Sequence, residues 1–417
     1  MAQPVKRAYK FRFYPTDEQV AELARTFGCV RLVYNMALEE RSRAWNEEKR
    51  RVSYTQSSAA LTAWKKTDGL AFLSEVSSVP LQQALRHLQS AFASFFAGTA
   101  RYPRFKSRKK SRACAEYTRS AFRYRDGQLT LAKMNTPLAI VWSRPLPEGA
   151  DPSTVTVSRD ATGRWFVSLL VEESVTPLRR IDRAVGVDVG VTDLVTLSTG
   201  ETIANPRHER ADRARLAAAQ RTLARKAKGS KNWEKAKFKV ARVHSRISDR
   251  RRDYLHKLTT RLVRENQTIV IEDLSVSNMV KNRSLARAIS DCGWGELRHQ
   301  LEYKCSWYGR ELVVVDRWFP SSKLCGACGT VHGKLPLHIR SWTCADCGAR
   351  HERDVNAAKN ILAAGQAVSA CGAGVRPQRE SSRTGQSAVK QETQRVTAGF
   401  ASHWGGENVK GAPSGFG

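Results

Sequence analysis

The feature that most narrows how this 417-residue chain can fold is a pair of cysteine pairs, Cys325-x2-Cys328, fifteen residues, then Cys344-x2-Cys347. Each pair can set two thiolates on one tight turn, and two such knuckles close a tetrahedron around zinc. Gly326, Gly329 and Gly348 suit those turns. Four thiolates leave no coordination position for water, so the ion is read as structural. His332, His338 and His351 lie near enough in sequence to substitute as ligands; with four cysteines in place they are read as surface residues. The other cysteines, Cys29, Cys114, Cys292, Cys305 and Cys371, stand alone, and nine is an odd total. That usage fits metal binding in a reducing compartment and argues against a disulfide scaffold.

Three carboxylates stand out by context. Asp188 sits inside Val185-Gly186-Val187-Asp188-Val189-Gly190, and Glu272 ends the apolar run Thr268-Ile269-Val270-Ile271. An ionised carboxylate in such a strand is costly unless a cation satisfies it. Asp354 stands just ahead of a helix whose buried face is Ala358, Ile361 and Leu362. Each has an ordinary alternative, a helix N-cap for Asp354 and a strand-end turn acid for the others. Together they suggest a carboxylate cluster. Such a cluster repels itself unless divalent cations lie between the oxygens, and hard oxygen donors with open positions suit magnesium. Two ions about 4 Å apart can activate a water and stabilise the departing oxygen of a phosphodiester. Asp273 should point to the opposite face of its strand, and Asp182 and Asp193 are assigned to turns or surface.

Charge points to the same partner class. Seventy Lys and Arg against 39 Asp and Glu leave +31, so a polyanion is expected. No stretch approaches the roughly 18 uninterrupted apolar residues of a membrane span, and MAQPVKRAYKFRF has no apolar signal core, which puts nucleic acid ahead of lipid. The densest basic segment, RYPRFKSRKKSR, sets Arg101, Arg104, Lys106, Arg108 and Lys109 around Tyr102 and Phe105. It is either a solvated loop or a segment that contacts phosphates and stacks on bases, and the overall charge favours the second.

The remaining text falls into regimes. Ala8 to Phe13 alternates as a strand, and a capping box at Thr16 and Gln19 opens amphipathic helices through about residue 98. From about 115 to 175 the period is two, with hairpin signals at Asp126-Gly127 and at residues 160–163, which predicts a small antiparallel barrel that the first strand joins. From Ala184 strands alternate with helices, including two long basic helices hinged at Gly229-Ser230, and a last helix spans Val355 to Ala364. That alternation predicts an α/β sheet. Residues 366–417, rich in Gly, Ser, Gln and Thr, are expected to be mostly disordered.

The order GVDVGV, IVIEDL, then a four-cysteine ribbon running into HERDVNAAKNIL resembles the split RuvC nuclease domain of the TnpB proteins of bacterial insertion sequences, related to the type V CRISPR effectors. FGCVRLVYNMAL and RYPRFKSR resemble that family's helical opening and basic segment, so the resemblance covers about residues 5 to 365. It implies an α/β RNase H-like (RuvC) nuclease core with an inserted zinc ribbon, an antiparallel β-barrel wedge domain and an inserted helical recognition bundle. The expected boundaries are 1–15 with 110–180 for the wedge, 16–109 for the helical domain, 181–321 with 351–365 for the nuclease and 322–350 for the ribbon. It further implies an RNA-guided DNA endonuclease with Asp188, Glu272 and Asp354 as catalytic ligands of magnesium or manganese. The implied partners are a guide RNA and double-stranded target DNA, bound by a cytoplasmic, nucleoid-associated protein that is a monomer with its RNA. The alternatives are an accessory that binds without cleaving and an unguided RuvC-like nuclease.

Overall fold

A computed structural model of the chain describes residues 2–333, 335, 336 and 338–370. Cys371 and the expected tail beyond it lie outside the described residues. Two compact units emerge, one from residues up to Phe27 and from Ser107 onward, the other from Gly28 to Lys106. No helix among the described residues is long and apolar enough to cross a membrane.

The smaller unit is helical. Helix α1 (Asp17–Glu48) opens on the expected capping box: the Gln19 backbone N–H donates to Thr16 Oγ1 at 3.3 Å, and the Thr16 N–H donates to Gln19 Oε1 at 3.1 Å. Beyond Gly28 it packs with α2 (Tyr54–Trp64) and α3 (Ser78–Phe96). Their apolar stripes meet in a core that includes Val33, Leu38, Leu61, Leu81, Leu85 and Leu88.

In the larger unit, β1 (Gln3–Tyr14) runs antiparallel to a distant strand, from Gln3 opposite Val175 to Phe13 opposite Trp165. The strands that follow are β2 (Ala113–Thr118), β3 (Phe122–Arg125), β4 (Gln128–Leu131), β5 (Ala139–Val141), β6 (Thr154–Arg159) and β7 (Trp165–Val175). The sheet order is β2-β6-β7-β1-β5, and Tyr9, Phe11 and Phe13 turn to its buried side. The expected closed barrel is not formed among the described residues. Strand β5 is three residues long and pairs only with Arg12 to Tyr14 at the end of β1, while β3 and β4 make a separate hairpin. Closure needs a continuous staggered ladder, and so short an edge cannot supply one.

The second sheet contains β8 (Ala184–Val189), β9 (Asp193–Leu197) and β10 (Thr202–Ala204) as an antiparallel meander. Helices α4 (His208–Ala224) and α5 (Lys231–Glu265) follow and pack through Leu216, Val243 and Ile247. Ser230 caps α5, its hydroxyl accepting from Trp233 N–H at 3.1 Å, and Gly229 before it has a positive φ of 87°. Strand β11 (Thr268–Glu272) then lies parallel to β8. After α6 (Val276–Met279), α7 (Ala286–Cys292) and α8 (Trp294–Tyr308), β12 (Glu311–Val315) adds parallel to β11, giving the order β10-β9-β8-β11-β12. The ribbon hairpin β13 (Ser341–Thr343) and β14 (Arg350–Glu352) precedes the last helix, α9 (Arg353–Ala370). That helix continues past the expected end at Ala364 to Ala370, into the start of the segment expected to be mostly disordered.

Strand alternation sorts this sheet into two faces. Val185, Val187, Ile269 and Ile271 meet Leu258, Leu262, Leu297 and Leu301 of α5 and α8. The opposite face takes α9. A Cβ on Gly186 would lie 2.1 Å from the Ala358 carbonyl oxygen, and one on Gly365 would lie 2.4 Å from Val270 Cγ1, so glycine at both positions lets the helix lie directly on the strands.

Candidate active site

That packing brings the three acids together. Val187 and Ile271 are paired across β8 and β11, so the next residues, Asp188 and Glu272, stand side by side at the ends of neighbouring parallel strands. Asp188 follows Gly186 by two residues and Glu272 follows Val270 by two, so both side chains leave the sheet on the α9 face. Asp354 lies in the first turn of α9, four residues before Ala358, which rests on Gly186. Burial first, then the charges of Glu272 and Asp354, push the Asp188 carboxyl up to about 8. Burial also raises Glu272, while the Ser321 hydroxyl, hydrogen-bonded to its Oε1, pulls the other way. Asp273 leaves on the opposite side, as expected. There, against the effect of burial, Arg298 and Arg317 hold its carboxyl below the usual range.

The Asp188 shift fixes a sign. Without a divalent ion the folded chain keeps that proton from the ordinary carboxyl range near about 4 up to about pH 8, so stability should fall as pH rises through that window. Asp188→Asn removes the repulsion. Its melting temperature in chelator should exceed the parent's by about 2–4 °C at pH 8, a gain that shrinks toward pH 4. Equal melting curves at both pH values would mean that the acids do not crowd one another.

Arg340, just ahead of β13, completes the cluster and carried no sequence signal. Its Nη1 donates to Asp354 Oδ2 at 3.2 Å and its Nη2 to Thr192 Oγ1 at 3.3 Å. The ribbon is also tied to α9 by two buried asparagines that sequence reasoning missed. Asn356 accepts from Gly326 N–H at 3.0 Å and donates to the Leu324 carbonyl at 2.7 Å; Asn360 donates to the carbonyls of Ser321 and Leu324, each at 2.8 Å.

The four predicted cysteines converge. Their sulfurs lie within 4.8 Å of one another, with Cys325 to Cys347 and Cys328 to Cys344 each at 3.7 Å. Tetrahedral zinc with Zn–S of about 2.3 Å requires sulfurs about 3.8 Å apart, so the donor set fits that ion. The two knuckles are built alike. Gly329 N–H donates to the Cys325 carbonyl and Gly348 N–H to that of Cys344, both glycines at positive φ. His332 and His351 are not plain surface residues: their Nε2 atoms lie 3.2 Å from Cys344 Sγ and 3.1 Å from Cys325 Sγ, and both rings pack on Trp342. His338 is exposed. Burial pushes the Cys292 and Cys305 thiols up to about 11 and 12, as suits core residues.

The basic segment divides. Tyr102 packs edge-on against Phe92 and Phe95 and shares a 2.7 Å hydrogen bond with the Ser42 hydroxyl. Lys106 lays its ammonium 3.8 Å from the Tyr34 ring centre, and Asn35 bonds both its backbone N–H and its carbonyl. These two hold the segment to the helices. Arg101, Arg104, Phe105, Arg108 and Lys109 are exposed, and so is Tyr102, at 45%.

Comparison with known proteins places the chain. Three family descriptions match it: "Probable transposase" of the OrfB type of IS605 over residues 166–283, "Cas12f1-like, TNB domain" over residues 294–361, and "Helix-turn-helix domain" over residues 1–50. A Streptomyces pristinaespiralis protein named "Putative RNA-guided DNA endonuclease" is 75% identical over 400 residues, 96% of this chain and 99% of that one. The Escherichia coli K12 protein named "Putative RNA-guided DNA endonuclease InsQ" is 36% identical over 88% of this chain and 94% of its own. Among solved structures, the protein of a Cas12f1-sgRNA-target DNA complex shares the fold, with a TM-score of 0.56 at 14% identity over 86% of this chain and 99% of that one. The chain therefore belongs to the TnpB family of insertion-sequence proteins.

Proposed function

We propose that the chain is an RNA-guided DNA endonuclease of a transposable element, cutting DNA by metal-dependent phosphodiester hydrolysis at Asp188, Glu272 and Asp354. The observation that carries this is the convergence of the three acids on one face of the sheet, close enough that two of them raise the third. Nuclease segments 181–321 and 351–365, the ribbon 322–350, a wedge from 1–15 with 110–180 and a helical domain 16–109 are the corresponding parts. The names of its full-length relatives support a guide RNA and double-stranded target DNA as partners.

Magnesium or manganese fits because the cluster offers only hard carboxylate oxygens, and when bound such ions activate water and stabilise the departing 3′-oxygen. The chain's own residues do the positioning. Asp188 and Glu272 fix their oxygens at adjacent strand ends, Ser321 orients Glu272, and Asp354 closes the third side from α9. Arg340 neutralises Asp354 and stands ready to bind a phosphate oxygen, the task for which a guanidinium fork is suited. Zinc held by Cys325, Cys328, Cys344 and Cys347 fixes the ribbon that carries Arg340. Arg101, Tyr102, Arg104, Phe105, Lys106, Arg108 and Lys109 contact nucleic acid, and Tyr102 and Lys106 also hold that segment in place.

Protein purified from its host should carry a defined RNA, and its affinity for that RNA should fall steeply with added salt. Replacing Arg104, Arg108 and Lys109 together by Ala should reduce the slope of log K against log salt by about 2. Copurification of no defined RNA, or an unchanged slope, would count against the partner assignment.

A further inference from the structure

Trp318 is the most exposed large hydrophobic side chain among the described residues, at 84%. An indole is a large apolar surface to leave in water, and its ring stacks on nothing among those residues. Its position is tightly fixed. Val315 is paired with Glu272, and the chain covers only three further residues to Trp318, at most about 11 Å of backbone. The Trp318 N–H donates to Asp316 Oδ1 at 2.8 Å, Arg317 before it is paired to Asp273, and Phe319 after it packs on Val270, Val313 and Ile361. Ser321, three residues on, bonds Glu272. The loop is thus pinned on both sides of Trp318, and its indole is turned to solvent within that backbone reach of the strand end that carries Glu272.

We infer that Trp318 is a positioning residue that stacks on an unpaired nucleobase of the DNA strand entering the acid cluster. This rests on the nuclease reading above. The occupant follows from the chemistry at hand: Arg317, itself paired to Asp273, precedes Trp318 in the loop, the chain carries +31, and the nearest chemistry is that of a phosphodiester site. An aromatic face beside cations takes any base, because every base has a π-face, and so it can hold a strand without reading its sequence. A stacked base fixes the adjacent phosphate more closely than charge alone, since salt-screened contacts to the backbone let it slide.

The test uses the full chain with its copurified RNA and two probes of equal length, a single-stranded oligothymidylate and the same backbone with every base removed. The parent should prefer the thymidylate, and Trp318→Ala should reduce that preference about tenfold while binding the baseless strand as the parent does. Trp318→Phe should keep most of the preference. Zinc content and melting temperature should be unchanged in both variants, since the side chain is 84% exposed. An unchanged preference in Trp318→Ala, or equal losses on both probes, would overturn the stacking assignment. Neither probe needs to be cut, so the two readings can fail separately. A parent that stacks but never cleaves would sink the nuclease reading alone, and one that cleaves while the Ala variant keeps its preference would sink only the role of Trp318.

Discussion

Asp188→Ala, Glu272→Ala and Asp354→Ala should each lower cleavage of matched DNA by on the order of 10³-fold or more while changing nucleic-acid affinity by no more than about twofold. The asymmetry follows from the fold. Each acid is one of three donors on the α9 face of the sheet, whereas binding is spread over a surface that carries +31. The Ala variants need not be unstable, because removing one carboxylate relieves the crowding that raises Asp188. Chelation should stop cleavage by the parent, and magnesium or manganese should restore it. A variant that cuts at the parent rate would remove that residue from the site.

Cys344→Ser should release one zinc per chain and cost both stability and activity, because a structural zinc site contributes its binding energy to folding. The path from ribbon to acids is specific. The Cys325 knuckle is held by Asn356 and Asn360, two and six residues beyond Asp354, and Arg340 reaches Asp354 from just ahead of the strand that leads into Cys344. Asn360→Ala should therefore reproduce part of the loss with the cysteines intact. It strands the Ser321 carbonyl at about 1–3 kcal/mol, while the Leu324 carbonyl keeps its bond from Asn356, and it loosens the ribbon without removing a thiolate. Metal analysis of Asn360→Ala should still find zinc, and activity should fall further than zinc content. Parallel loss of the two would reduce the asparagines to supports of the ribbon alone.

Asp188, Glu272 and the cysteines stood out because each breaks a local rule, whereas Asp354 stood out only in their company. A carboxylate in an apolar strand and four thiols at knuckle spacing are both costly without a cation, and the composition at those positions states the problem openly. The roles of Gly186 and Gly365 could be seen only with α9 laid across the sheet, since a glycine in a strand fits a bend as well as a close crossing. Arg340 was hidden for the opposite reason. In a chain with 70 Lys and Arg, one more arginine in a loop carries no local signal, and its pairing with Asp354 depends on how the ribbon folds back. Asn356 and Asn360 read as ordinary polar positions of an amphipathic helix, yet both are buried under the knuckle. His332 and His351 were assigned to the surface by counting ligands, and the Trp342 ring that gathers them beside the thiols is a tertiary contact. The barrel expectation failed on length: period-two text predicted strands correctly but not that β5 would pair over only three residues.

In the proposed function, base pairing with a bound RNA directs a cut made by these acids. The most direct measurement is cleavage of two duplexes by one protein preparation loaded with either of two RNAs that differ only in the guide portion. Each RNA should direct a cut in its own matched duplex and leave the other intact, Asp188→Ala should cut neither, and protein stripped of RNA should cut neither. Equal cleavage of both duplexes with the RNA removed would contradict the guided cut and leave an unguided nuclease acting through the same carboxylates.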